Sequence, residues 1–234
     1  MQLFIGNKNY SSWSLRPWLL MRHRGIVFEE VKLRLSFEGD SPFKARLLGL
    51  APTGKVPLLI DEGLAIWDTL AIAEYLAERF PALHLWPNER TDRARARCLC
   101  AEMHSGFGAL RNSFPMNMEA SLPEVGQRLL RESTETAKDL ERIVTMWSGQ
   151  LESSGGPFLF GPFCIADAYF APVGSRIRTY ALPVNAVVAG YVERMFALPA
   201  MQTWLQDSLA ENDFLDFDEP YRTQRYPGVE ARPT

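Results

Sequence analysis

The seven residues Pro81-Ala82-Leu83-His84-Leu85-Trp86-Pro87 separate two stretches of chain with different periodicities. Proline removes a backbone donor and holds the preceding residue extended, so two prolines at this spacing interrupt helix and sheet alike. Before them, short apolar runs alternate with stretches of helical spacing. After them, strand patterns vanish. The chain is therefore expected to join an α/β part, residues 1–80, through a linker at 81–90 to an all-helical part, residues 91–234, that ends in an extended tail from about Asp216.

Within the first part, Leu3-Phe4-Ile5 reads as a strand closed by Gly6-Asn7. Leu15, Trp18, Leu19 and Arg22 recur at helical spacing, and Gly25 supplies a left-handed stop. Pro17 fits best in the first turn, where its missing N–H would be an orphan, which makes Ser14 the earliest comfortable cap and leaves Ser11 and Ser12 in the preceding loop. Residues 26–33 read as a second strand, 36–42 as loop and 56–60 as a third strand. Asp61-Glu62-Gly63 then turns the chain into an antiparallel partner, Leu64-Ala65-Ile66. An amphipathic helix follows from Asp68 to Phe80, capped by Asp68 or Thr69. In the second part, helical spacing covers residues 91–119, 123–153, 164–180, 185–197 and 199–211.

Composition narrows the function classes. Lys and Arg number 25 against 28 Asp and Glu, a net charge of −3, so there is no surplus of positive charge to neutralise a phosphate backbone and nucleic acid is not expected as a partner. The three cysteines Cys98, Cys100 and Cys164 form neither a C-x-x-C pair nor an even framework. His23, His84 and His104 lack ligand spacing, so no metal is expected. No apolar run approaches the roughly 18 residues of a membrane span, and no secretion signal opens the chain, so the expected location is the cytosol. Phosphate-cradling and nucleophile-elbow glycine motifs are absent.

Four segments carry chemistry: Tyr10-Ser11-Ser12-Trp13-Ser14-Leu15-Arg16-Pro17, Pro52-Thr53-Gly54-Lys55-Val56-Pro57, Trp67-Asp68-Thr69-Leu70-Ala71-Ile72, and Gly161-Pro162-Phe163-Cys164-Ile165-Ala166-Asp167-Ala168. Serines before a helix are ordinarily caps, and a Val-Pro bond is ordinarily trans. In this order, and across the change in periodicity, the segments resemble the cytosolic glutathione S-transferases, serine-type members near the zeta and related bacterial classes. The resemblance covers nearly the whole chain. It implies a thioredoxin-like domain, a mixed four-stranded sheet with helices, followed by an all-α domain, and a homodimer in the cytosol with glutathione as co-substrate and no further cofactor.

The resemblance also implies roles. Ser11 or Ser12 would donate to the glutathione sulfur and, with the helix dipole, favour the thiolate. Alignment with the zeta S-S-x-S run selects Ser11, and counting back from Arg16 selects Ser12, so both are retained. Val56, before a cis Pro57, would pair its backbone with the cysteinyl residue, and Lys55 would approach the glycyl carboxylate. Thr69 would hold the γ-glutamyl carboxylate at a helix N-terminus, with Asp68 facing the ammonium, although Asp-Thr departs from the usual Glu or Gln followed by Ser. Cys164 and Asp167 would form a structural capping box weakened by sulfur. Met103, His104, Phe107, Arg111 and Arg176 are candidates for the cleft that takes a small electrophilic second substrate, where a cation would favour an acidic one.

The expected activity is thus attack of the glutathione thiolate on a small electrophile. The alternatives are an isomerase of the maleylacetoacetate type, although the zeta run S-S-C-x-W-R is altered here to S-S-W-S-L-R, and a non-catalytic binding or scaffold protein. A thiol-disulfide oxidoreductase would need a cysteine where Ser-Ser-Trp-Ser stands.

Overall fold

The computed structural model describes residues 1–224. Its first part runs β1 (Gln2–Ile5), α1 (Ser12–His23), β2 (Glu29–Lys32), α2 (Pro42–Leu48), β3 (Leu58–Asp61), β4 (Leu64–Trp67) and α3 (Thr69–Arg79). The sheet order is β2-β1-β3-β4, with β1 parallel to β2 and antiparallel to β3, and β3 antiparallel to β4. Strand alternation sorts its two faces. Leu3, Ile5 and Leu59 face α1 and α3 in the large core, whereas Phe4 and Leu58 face Phe43 and Leu47 of α2. The sheet is mixed because the tight turn at Glu62-Gly63 (φ +49° and +84°) forces β3 and β4 antiparallel, while α1 provides the crossover that a parallel β1–β2 pair requires.

The rest is helical: α4 (Arg90–Ser105), α5 (Gly108–Ser113), α6 (Pro123–Glu132), α7 (Thr134–Ser154), α8 (Ile165–Thr179), α9 (Ala186–Phe196) and α10 (Pro199–Ala210). Helix α8 is buried along almost its whole length and packs against α1 and α4, so one core joins the sheet to the helices. Its start is held by Asp167, whose carboxylate accepts the N–H of Cys164 (2.8 Å) and of Leu159 (3.0 Å) and the hydroxyl of Tyr191 (3.0 Å). Burial pushes that carboxyl up to about 6 against the pull of its three donors. The Cys164 sulfur still faces the Asp167 N–H, so the capping box is complete in form, with sulfur the weaker acceptor.

Several boundaries differ from expectation. Helix α1 starts at Ser12, not after Ser14, because the Leu15 N–H already closes a turn onto the Ser11 carbonyl (3.1 Å). Pro17 is consequently inside the helix, where the packing of Leu15, Trp18, Leu19 and Met21 outweighs the one missing bond. The stretch 91–119 is not one helix: Gly106 caps α4 and Phe107 turns left-handed (φ +56°) before α5. The stretch 123–153 is also divided, because the Ser133 hydroxyl accepts the Thr136 N–H (3.2 Å) and starts α7 afresh.

The segment after Asp216 is not extended as far as residue 224. It makes one 3-10 turn at Asp216–Asp218 and folds back, burying Glu219 and Arg222. Together with residues 207–215 it forms a strap across the β1–α1 loop. Asp207 and Glu30 bind the Lys8 ammonium (2.6 and 2.9 Å), Glu211 accepts the Lys8 N–H (2.8 Å), and Asp213 accepts from Asn7 (3.0 Å). Glu219 accepts the Tyr10 hydroxyl (2.8 Å). The remainder of the expected tail lies outside the described residues.

Candidate active site

Three of the four segments that carry the resemblance border a cleft of about 370 Å³ between the sheet and α4, with neither Ser11 nor Ser12 among its lining residues. Its walls come from the α1 N-terminus through Trp13, the loop before β3 through Thr53, Lys55, Val56 and Pro57, the β4–α3 junction through Trp67, Asp68 and Thr69, and α4 through His104. The Val56–Pro57 peptide is cis. Val56 is half-buried and Lys55 exposed at the mouth.

Asp68 caps α3 through Oδ1, which accepts the Leu70 N–H (2.9 Å), yet its φ of +75° is a conformation that a non-glycine residue pays for in strain. Thr69 is buried at the first turn of α3, where the helix leaves N–H groups free and the dipole favours an anion. Its Oγ1 lies 2.5 Å from the hydroxyl of Tyr169 on α8, and that hydroxyl is 2.9 Å from His104 Nδ1. His104 Nε2 in turn reaches Asp68 Oδ2 at 3.3 Å. These three contacts and the Asp68–Thr69 peptide bond together close a ring of four residues on one wall of the cleft. Burial pushes the Tyr169 phenol up to about 12, so it holds its proton at neutral pH.

Beneath this ring lies a buried cation. Arg16 is stacked between Trp13 (4.1 Å to the ring centre) and Tyr169 (4.3 Å), with Nε and Nη1 unpartnered. Burial lowers its guanidinium to about 10, still charged at neutral pH. Half-buried Arg111, also lowered by burial, lies 4.8 Å from the Trp13 ring and donates to the carbonyls of His104 (3.3 Å) and Gly106 (3.4 Å). Buried Thr53 Oγ1 likewise has no partner.

The two serines differ. Ser11 is buried at the cap position of α1, and its hydroxyl donates to Ser14 Oγ (2.7 Å), which also accepts the Gly6 N–H (3.1 Å). Ser12 is half-buried in the first turn, and its hydroxyl makes no hydrogen bond within the described residues.

Three of the second-substrate candidates do not reach the cleft. Met103 and Phe107 are packed into the core, because α4 and the turn after it press that face against α8. Arg176 is buried, lowered to about 9 by desolvation, and donates through Nε to the Phe114 carbonyl (2.6 Å), so it fastens the segment after α5 and not a substrate. His104 does line the cleft, and Arg111 sits behind it. Trp13, Thr53, Trp67 and Tyr169 were not singled out as site residues by sequence reasoning. Trp13 stands inside the serine run and Thr53 inside the Pro-Thr-Gly-Lys segment, but nothing local marks Tyr169, which follows the capping-box Asp167 by two residues and reaches Thr69 across 100 residues of chain.

Among the described residues no cluster of three or more His, Cys, Asp or Glu could hold a metal. All three cysteines are unpaired, with Cys98 exposed and Cys100 and Cys164 buried. No helix there is long and apolar enough to cross a membrane.

Comparison with known proteins bears on the fold and the family. Residues 10–79 match the model of the glutathione S-transferase N-terminal domain. The maleylacetoacetate isomerase of Rattus norvegicus is 30% identical over 200 residues, covering 82% of this chain and 87% of the rat protein. That of Pseudomonas aeruginosa is 28% identical over 151 residues, 64% of this chain and 65% of the relative. Among solved structures, a glutathione transferase homologue from Burkholderia gl BGR1 with bound glutathione superposes with a TM-score of 0.66 at 25% identity, covering 89% of this chain and 97% of that one. The four-stranded mixed sheet, the helical region behind it and the rat relative's coverage of most of the sequence together mean that the chain belongs to the glutathione S-transferase family.

Proposed function

We propose that this protein binds glutathione in the cleft and activates its thiol for attack on a small electrophile. The observation that carries the reading is the convergence of two helix N-termini, α1 and α3, with the extended segment Lys55–Pro57 on one cavity. A tripeptide with a carboxylate at each end and a thiol in the middle matches that layout. Its γ-glutamyl carboxylate meets the free N–H groups at Thr69, its cysteinyl backbone runs along Val56, its glycyl carboxylate lies toward Lys55, and Asp68 faces the ammonium. The sulfur then lies at the start of α1. A hydroxyl donor and the helix dipole there stabilise the thiolate over the thiol, whose ordinary pKa is about 8.5. Of the two serines, Ser12 is the donor we favour, because the Ser11 proton is already engaged by Ser14.

The step is a nucleophilic addition or substitution: the sulfur lone pair forms the new S–C bond, and the electrophile's π electrons or leaving group take the displaced pair. A second reading is favoured by the rat and Pseudomonas relatives. In a maleylacetoacetate-type isomerisation the thiolate adds to a cis double bond, the single bond rotates, and elimination returns the trans product and free thiolate. Arg111 and His104 beside the cleft suit an acidic substrate of that kind. We further place the protein in the cytosol as a homodimer with no cofactor beyond glutathione as co-substrate. The exposed Leu64 and Trp67 on edge strand β4 support an interface there.

The test is thermal unfolding with and without glutathione, followed by assays of aryl-halide conjugation and of enone isomerisation. Reduced glutathione at ~100 times its Kd adds about 2.7 kcal/mol, an upward Tm shift of roughly 5 to 10 °C for a chain this long. An unmoved Tm at every concentration would sink the reading and favour a scaffold protein. Sedimentation showing a monomer at micromolar concentration would refute the homodimer.

A further inference from the structure

We propose that His104 and Tyr169 are positioning residues that aim the Thr69 hydroxyl, so that the charge on His104 decides whether the cleft accepts an α-carboxylate at the γ-glutamyl end. This rests on the glutathione reading above. The juxtaposition is the ring of contacts Asp68 Oδ2–His104 Nε2 (3.3 Å), His104 Nδ1–Tyr169 Oη (2.9 Å) and Tyr169 Oη–Thr69 Oγ1 (2.5 Å). Each hydroxyl has one proton to give, and an imidazole carries either one N–H or two.

With the neutral imidazole, Nε2–H donates to Asp68 and Nδ1 is an acceptor. Tyr169 then donates to Nδ1, and Thr69 spends its own proton on the Tyr169 oxygen. Thr69 presents only lone pairs to the cleft, which repel a carboxylate. With the imidazolium, both ring nitrogens donate: Nδ1–H to Tyr169, Tyr169 to Thr69, and Thr69 is released to donate into the cleft. The His104–Tyr169 and Tyr169–Thr69 bonds reverse together while Nε2–H donates to Asp68 in both states, and the Thr69 hydroxyl changes from acceptor to donor at the α3 N-terminus, beside the backbone N–H groups that also favour an anion.

The charged groups around His104 are of both signs. Asp68 at the start of α3 puts a carboxylate 3.3 Å from Nε2, Arg111 from α5 has Nη1 3.3 Å from the His104 carbonyl, and Arg16 from α1 stacks on the Tyr169 ring. The Trp13 ring, 5.2 Å away edge-on, closes the remaining side. A carboxylate arriving at Thr69 adds a second negative charge near the imidazole, so ligand and proton bind with positive coupling.

The probes are S-methylglutathione, whose sulfur does not titrate, and its 4-aminobutyryl and glutaryl analogues, which lack the α-carboxylate and the α-amino group respectively. Binding is measured by calorimetry to wild type, His104→Phe, Tyr169→Phe and Thr69→Val. At the acid end of the pH range, where the relay makes Thr69 a donor, the expected result is roughly tenfold weaker binding of S-methylglutathione and of the glutaryl analogue by Thr69→Val, with the 4-aminobutyryl analogue little changed, whereas His104→Phe and Tyr169→Phe bind with an affinity ratio that no longer depends on pH. A retained 4-aminobutyryl affinity also shows that the variant is folded. In wild type, which needs no substitution, the affinity ratio of S-methylglutathione to the 4-aminobutyryl analogue is expected to fall as the pH rises from about 5.5 to about 8.5, and to be flat in His104→Phe. A flat ratio in wild type, or equal losses for all three ligands in folded variants, overturns the relay while leaving glutathione binding intact. Wild type that binds none of the three overturns the functional reading and the relay with it.

Discussion

Ser11 and Ser12 are neighbours in the chain and unequal in chemistry. One hydroxyl is buried and bonded to Ser14; the other is half-buried with its proton uncommitted. Ser12→Ala is therefore expected to lower turnover by one to three orders of magnitude, roughly the loss of one donor to a developing or resting anion. Ser11→Ala is expected to act mainly on stability, because it removes a partner of the Ser14 hydroxyl that holds Gly6, and steady-state kinetics beside urea unfolding separates the two effects. Asp68 is held in a strained conformation at the cap of α3. Glycine tolerates a φ of +75° that strains aspartate by about 1 to 3 kcal/mol, so Asp68→Gly is expected to raise the unfolding free energy by about 1 kcal/mol after the lost cap is discounted, while weakening glutathione binding. A less stable Asp68→Gly protein would show that the local backbone is relaxed as it stands.

Element α8 depends on one carboxyl. Asp167 serves three donors from three places, the Leu159 loop, the helix start and Tyr191 on α9, and all are buried. Asp167→Ala would orphan them and is expected to cost roughly 3 kcal/mol or more in urea unfolding. The pH dependence has a definite sign. The folded value of about 6 lies above the ordinary 3.8, so between those values the native state holds the proton that the unfolded chain releases. Stability from this group is fullest below that window and declines as the pH rises through it. The stability difference between wild type and Asp167→Asn should narrow from about pH 4 to about 6 and then level off, as chemical denaturation at a series of pH values would show. The opposite slope would mean that the three donors outweigh burial. Secondary structure at this scale is largely readable from the sequence where Gly25 and the Asp167 box act within one turn of their own position, but the Ser133 cap that divides 123–153 is not. Helix α1 was misplaced because Pro17 looks prohibitive locally, and only the burial of Leu15, Trp18 and Leu19 against the sheet and α8 offsets it.

At the scale of the whole molecule, the strap ties residues 207–224 to the loop that precedes the serines. Leu215 is buried with Phe4, Tyr10 and Phe43 on the second face of the sheet, so the last described residues complete a core that the first part cannot finish alone. Leu215→Ala is expected to cost roughly 2 to 5 kcal/mol and to loosen the Asn7–Tyr10 loop, seen as faster amide exchange there than at β3. Unchanged exchange in that loop would mean that Lys8 and its acidic partners hold it without the strap. A tail rich in proline, arginine and tyrosine without a period reads as extended, since its partners Tyr10, Asn117 and Glu119 are far away in sequence.

By itself, the sequence determined the four strands, α1, α3 and the change from α/β to all-helical, because periodicity, caps and turn residues are local signals that act over a turn or two of chain, while α2 and the breaks that divide 91–119 and 123–153 escaped it. It also marked two of the segments that line the cleft, Lys55 to Pro57 and Asp68 to Thr69, since each sits at an element boundary that its own residues define. Only the tertiary structure decided which side chains share a space. Packing of α8 between α1 and α4 brings Tyr169 to Thr69 and His104 and buries Met103, Phe107 and Arg176. Those outcomes depend on contacts between residues tens to a hundred positions apart, which no local pattern encodes and which form only when the core excludes water.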